Sequence, residues 1–288
     1  MVKRNPSSRR PAALRRAYML MRRRFGHQNW WPAESPFEVC VGAILTQNTS
    51  WTNVERAIAQ LKTAGVLDPG KLFRLPEKQL ARLIRPAGYF NLKARRLRSF
   101  LRVLVEEFHG DLDRLFAGST PVARERLLAI NGIGAETADS MLLYAGGHDS
   151  FVIDAYTKRV FHRHQWCNAD AAYDDLKAVC ETALDRPPSA ERLDYWQDYH
   201  AQLVMVGKHF CRTRKALCDQ CPLNPLLPHV NQDGFPACQN TPGEGQGEGG
   251  NTRSNTQSAA YPSDSSVTAV RKSAPHPPPP APHVCRRR

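Results

Sequence analysis

The chain has 288 residues, 41% of them hydrophobic, and a formal net charge of +13, so it can bury one large core or two modest ones. No run of eighteen apolar residues occurs, which excludes a membrane-spanning helix. Its eight cysteines stand in a chain too long for a small disulfide scaffold, and the cluster at 211, 218 and 221 points to a metal instead.

Residues 1–24 hold nine Lys/Arg and no acid, without an apolar h-region or a small-residue cleavage site. That excludes a secretory signal, while the Arg-rich, acid-free text leaves a transit peptide open. We expect this segment to be basic and flexible, ahead of a helical core at 25–210. From 239 to 288 the text turns to Gly, Ser, Thr and Pro with six Lys/Arg against three acids, a composition expected to be disordered. Without these two ends the chain carries about +1 by formal counting. The ends therefore suit a polyanion, or are merely solvated tails, and charge alone does not name a function.

Between the ends the hydrophobic period is that of helices. The stretch PFEVCVGAILTQ places apolar residues at 37, 40, 41, 44 and 45 on one face. NVERAIAQLKTAG repeats this at 54, 57, 58 and 61, with Gly65 as a stop. Pro and Gly then divide LFRLPEKQLARLIRPAGYF into short helices. KARRLRSFLRVLVEEF, VARERLLAI, ETADSMLLYA, AYTKRVFHRH and YDDLKAVCETAL read as further helices. Only residues 150–153, SFVI, look extended, too short for a sheet of their own. The fold class is all-α. Cys40, Cys167 and Cys180 fall at apolar helical positions and are expected to be buried packing.

A helix–turn–helix at about 123–145 carries Asn131-Gly132-Ile133-Gly134, with the second helix opening near Glu136. Two glycines two apart let the chain reverse tightly and bring backbone N–H groups to an anion. Ile133 between them is placed to plug the gap between the helices, and the second helix's N-terminus favours phosphate. An ordinary αα-turn explains Gly-Ile-Gly alone equally well. Downstream, Asp154 follows the apolar Phe151-Val152-Ile153 and opens a helix. A helix cap needs only its oxygen, whereas glycosidic cleavage needs a charge beside a developing oxocarbenium ion. One Asp can do both.

Taken together, Gly-Ile-Gly, the Gly146-Gly147 turn and Val152-Ile153-Asp154-Ala155-Tyr156 resemble the hairpin–Gly/Pro–Asp motif of the endonuclease III superfamily. The run Gly42 to Thr49, GAILTQNT, resembles that family's Leu-Ser-x-Gln-x-Thr helix end. Gly88 to Ala94, GYFNLKA, resembles its Gly-Leu-Tyr-Asn-x-Lys-Ala loop. The resemblance spans residues 30–221. It implies a two-lobed helix–hairpin–helix DNA glycosylase with a C-terminal cysteine-cluster loop, acting as a monomer on double-stranded DNA that contains a damaged base. It also implies a cytoplasmic, nucleoid-associated location if the source is bacterial. Asp154 would be catalytic, Gln47 would fill the hole left by a flipped base, and Tyr89 would wedge opposite it. Gly132, Ile133 and Gly134 would grip the DNA backbone.

Departures from the family pattern bear on mechanism. Bifunctional members carry a Schiff-base lysine two positions after the hairpin's second glycine, where this chain has Glu136, and a carboxylate forms no imine. Trp30-Trp31-Pro32, Trp51, Arg85-Pro86-Ala87-Gly88 and Gly207-Lys208 are most similar to the 3-methyladenine glycosylases, which are monofunctional. That likeness implies a pocket of Trp30 or Trp31 with Trp51, and Lys208 beside it; core packing is the alternative for the tryptophans. The spacing Cys211-x6-Cys218-x2-Cys221 resembles the family's [4Fe–4S] loop, expected here over 211–238. The fourth cysteine would fall at 227, which is Leu227, so Cys238 is the nearest substitute and His229 a less usual one. Zinc at this spacing and a decayed site with free thiols are the other readings. Two rivals to a monofunctional glycosylase remain: a glycosylase/lyase using Lys208, and a non-catalytic DNA-binding module.

Overall fold

The computed structural model describes residues 6–185 and 189–228; Cys238, His229 and the tail from 239 lie outside them. In chain order the helices are α1 (Pro6–Phe25), α2 (Pro36–Thr46), α3 (Trp51–Thr63), α4 (Pro69–Arg74), α5 (Glu77–Leu83) and α6 (Phe90–Arg102). They continue with α7 (Leu112–Leu115), α8 (Thr120–Leu128), α9 (Ala135–Tyr144), α10 (Ala155–Arg163), α11 (Tyr173–Ala183) and α12 (Ser189–His209). The 3-10 turn Arg85–Ala87 precedes α6, and one π turn, Val103–Glu107, follows it. The described residues contain no strand, only a single bridge between Cys211 and Ala216. The fold is all-α.

Local chemistry sets several of the starts. Ser35 accepts from the Glu38 N–H with Pro36 at the first position of α2, and Asp68 accepts from the Lys71 N–H ahead of Pro69 in α4. Residues 150–153 are non-helical and buried. Their backbone is satisfied by side chains rather than by a sheet: Phe151 N–H donates to Glu181 and Ile153 N–H to the Tyr173 hydroxyl.

Two hydrophobic cores give the molecule its two lobes. The first is built from α2 through α9, around residues such as Ile44, Leu61, Phe100 and Met141. The second joins α1 to α10, α11 and α12, around Leu14, Met21, Phe161 and Tyr199. The hairpin, α8 and α9, therefore lies where one lobe meets the other. Arg124 clamps its two helices through a bidentate contact to buried Asp139, and Ser150 donates to the same carboxylate at 2.6 Å. Gly207 lets α12 lie directly on α10, because a Cβ there would meet Tyr156 at 2.4 Å.

Two expectations need correction. Among the described residues the basic segment, from Pro6, is not a flexible lead: α1 buries Leu14, Ala17 and Met21 completely in the second lobe. Arginines at other positions around the same helix hide that apolar stripe from a composition count. The long helix α12 has no single apolar face to read, because Asp198, His200 and Gln202 are buried along with Leu203 and Val206. Cys40 and Cys180 are fully buried, whereas Cys167 is half-buried in the turn after α10.

Candidate active site

Asp154 is the N-cap of α10, and its Oδ1 accepts the Thr157 N–H at 2.7 Å. It is buried and lines a cleft with Trp31, Gln47, Glu136, Ser140 and His200. Burial pushes this carboxyl upward, but His200 and the Thr157 N–H outweigh it and hold Asp154 below the usual carboxylate range. Glu136, in the first turn of α9, opens to solvent at the cleft. Its protein surroundings and then the Asp154 charge raise its carboxyl to about 7, with Lys158 opposing. One cleft thus holds two carboxyl groups pushed in opposite directions.

The hairpin has the geometry that phosphate contact asks for. Gly132 sits at φ +91°, and a Cβ there would come within 2.4 Å of Arg96 Cγ. Ile133 is buried between the helices. Gly134 caps α9 with open space on its Cβ side, leaving the helix N-terminus approachable.

Gln47 caps the end of α2 and reaches the hairpin directly. Its Nε2 donates to Gly132 O at 3.2 Å and to Thr137 Oγ1 at 2.9 Å, and Arg96 donates to its Oε1. Tyr89 stands 56% exposed at φ +45° on the turn before α6, an aromatic ring presented to solvent. Buried Lys93 braces both positions, donating to Leu45 O at 2.8 Å and to Ala87 O at 2.7 Å. Its burial, then the nearby Arg96, lowers the ammonium to about 8. Sequence reading placed Lys93 in the GYFNLKA loop but missed this brace, because its partners are backbone carbonyls of other segments.

Trp31 and Trp51 meet edge to face at 5.2 Å, and Trp30 meets Trp51 at 4.8 Å. Trp31 alone of the three lines the Asp154 cleft; it also walls a neighbouring recess with Trp51, Glu55 and Lys62. Gly42 makes room for it, since a Cβ there would lie 3.2 Å from the Trp31 ring. Lys208 does not line the cleft, and no lysine does among the described residues. Burial lowers the Lys208 ammonium, with Glu55 opposing.

Cys211, Cys218 and Cys221 share the wall of a separate cavity with Arg163 and Leu227. Arg163 donates to Cys211 Sγ at 3.4 Å. Leu227 closes the cavity at the position where a fourth cysteine would stand. No three His, Cys, Asp or Glu side chains are grouped to hold a metal ion among the described residues. The chain thus brings Cys211 and Cys221 to this cavity as free thiols, while Cys218 is tied up in a disulfide, and the described residues supply no fourth ligand.

Residues 41–186 match the HhH-GPD superfamily of base excision DNA repair proteins. A putative DNA repair glycosylase of Methanocaldococcus jannaschii is 49% identical over 72% of this chain and 91% of its own length. Endonuclease III of Escherichia coli is 27% identical over 67% of this chain and 83% of its own. Among solved structures, a non-covalent endonuclease III–DNA complex superposes with a TM-score of 0.64 at 21% identity, covering 75% of this chain and 94% of that one. The Helicobacter pylori 3-methyladenine DNA glycosylase MagIII bound to 1,N6-ethenoadenine does so with a TM-score of 0.59 at 26% identity, covering 68% and 95%.

Proposed function

The chain belongs to the HhH-GPD superfamily of base excision DNA repair proteins, and from that membership we propose that it is a monofunctional DNA N-glycosylase. The observation that carries this reading is the cleft around Asp154: it holds two carboxyl groups, a histidine and an indole, and no lysine among the described residues. Glu136 occupies the place of the Schiff-base lysine, and Lys208 lies outside the cleft lining, so neither supplies an amine to the sugar. Asp154, charged at neutral pH, stabilises the sugar cation as the bond to the base breaks, or activates water against it. The hairpin holds the DNA backbone, Tyr89 wedges into the duplex, and Gln47 takes the space of the flipped base.

The substrate class we assign is an alkylated purine. Ring alkylation gives the base a positive charge, and the face of a tryptophan attracts such a cation by roughly 0.5–2 kcal/mol. Trp31 and the Asp154 carboxylate share the cleft wall, and among the described residues no lysine lines it. The related MagIII structure, with an adenine adduct bound, favours the same class.

A [4Fe–4S] cluster would be held by Cys211, Cys218 and Cys221, with Cys238 as the fourth ligand, only after the disulfide at Cys218 is reduced. The shared cavity supports it. The group supplies rigidity to the loop after α12, and base excision runs through none of it.

The deciding assay uses duplexes carrying 3-methyladenine, thymine glycol, or a mismatched thymine or adenine, with base release and strand cleavage scored separately. We expect release of the methylated purine, no cleavage, and no protein–DNA adduct on borohydride treatment. A stable adduct would overturn the monofunctional assignment, and preference for thymine glycol or a mismatch would overturn the substrate class.

A further inference from the structure

Asp154 has one neighbour that the excision reading leaves unused. His200, on α12, is 2% exposed and lines the same cleft. Its Nδ1 lies 2.7 Å from the Tyr144 hydroxyl and its Nε2 lies 3.6 Å from Asp154 Oδ2. That Nε2 is buried and makes no hydrogen bond among the described residues. Three helices, α9, α12 and α10, thus bring a tyrosine, a histidine and an aspartate into line.

Counting protons fixes which way the imidazole is loaded. The Tyr144 hydroxyl has one proton and two acceptors in reach, His200 Nδ1 and, at 3.1 Å, Gln197 O. If the proton goes to Nδ1, the imidazole is neutral and its own proton sits on Nε2. If it goes to Gln197 O, Nδ1 carries a proton and donates to the hydroxyl. A lone pair on Nε2 would then face a carboxylate, so Nε2 is protonated as well. Both arrangements aim an N–H at Asp154. The 3.6 Å separation is longer than a direct hydrogen bond. It is short enough for charge attraction, and such contacts tighten when substrate fills a site.

We propose that His200, oriented by Tyr144, is a positioning residue that keeps Asp154 ionised and turned into the cleft. This rests on the reading of Asp154 as the group that meets the sugar cation. The other groups facing Asp154 are the Thr157 N–H from α10, with Lys158 on the same helix acting on Glu136, and Glu136 and Tyr144 from α9. Burial works against ionisation, so the N–H of His200 is a main counterweight.

The test follows the Asp154 carboxyl itself by carbon-detected NMR titration of the full chain, its signal identified by loss in Asp154→Asn. The series is run in a Glu136→Gln background, which removes the neighbouring titration. In His200→Leu the midpoint should rise by about one unit or more. His200→Gln, whose amide N–H reaches the same side, should restore most of it, and Tyr144→Phe should raise it by a smaller amount. The acidic limb of single-turnover excision should move with the midpoint, while affinity for an uncleavable duplex stays put. An unmoved midpoint in His200→Leu overturns the proposal, as does His200→Gln behaving like His200→Leu. If His200→Leu fails to fold, the Tyr144→Phe midpoint decides in its place. A wild-type chain that releases no base would sink the proposed function alone, since the carboxyl titration is read without activity.

Discussion

At Asp154 the Thr157 N–H satisfies Oδ1, so an amide at this position keeps the helix cap and loses only the charge. Asp154→Asn should therefore fold normally and bind DNA, yet lose about 10²–10³ in single-turnover base release, the cost of removing one electrostatic stabiliser. Near wild-type excision by that variant would reduce Asp154 to a cap. Glu136 makes a second claim at this scale. Its carboxyl rises from the usual 4.5 to about 7, so between those values the folded chain holds a proton that the unfolded chain has released. Stability contributed by this group is then present at low pH and is lost as pH climbs through that window. Thermal unfolding at stepped pH should show Glu136→Gln gaining on wild type from pH 4.5 to 7, and a constant difference would show that the carboxyl titrates normally. Glu136 was legible in the sequence because the hairpin glycines number the position. The partnership of Asp154 with His200 was not, because 46 residues of unrelated helix and loop separate them.

Among the elements, the hairpin shows two glycines retained for different reasons. Gly132 needs its positive φ, and a side chain there would collide with Arg96, itself tied to Gln47. Gly134 has ordinary backbone and open space, so only something arriving from outside would feel a Cβ there. Gly132→Ala should cost about 1–2 kcal/mol in urea unfolding. Gly134→Ala should leave stability unchanged and weaken binding to undamaged duplex. Equal stability loss in both variants would make the turn a plain connector. The helices themselves follow from their hydrophobic period wherever one face is buried, as in α3 and α10. The period fails for α12, which is surrounded by protein and carries its polar residues inward.

At the scale of the whole molecule, α1 closes the second lobe over α11 and α12, with Tyr199 donating to Leu14 O at 2.9 Å and Arg22 paired to buried Asp198 at 2.8 Å. Removing residues 1–25 should strip buried Asp198 of its Tyr18 and Arg22 partners, leaving Gln28, Gln202 and His27 around it, and expose the apolar floor beneath Leu14 and Met21. The truncated chain should aggregate or unfold at least 10 °C lower, by an order-of-magnitude reading of such a loss; unchanged melting would make α1 an appendage. The loop after α12 offers the complementary test. Anaerobically purified protein should contain about four irons per chain, and Cys221→Ser should lose most of them. Iron-free wild type would identify the three cysteines as a vestige, with Leu227 marking where the site was lost.

By itself the sequence determined the all-α class, the hairpin and the absence of a lysine at position 136, and it singled out Asp154 as the proposed chemical centre, since each is a local pattern whose meaning depends on near neighbours. Tertiary structure alone decided that Trp31, and neither Trp30 nor Trp51, lines the Asp154 cleft, and that Lys208 stays outside it. It also decided that His200 faces Asp154, that Lys93 ties the end of α2 at Leu45 to the turn at Ala87, and that the basic helix α1 is part of a core. Each of these is a contact between distant segments, fixed by how helices lie on one another, and neither composition nor periodicity carries that information.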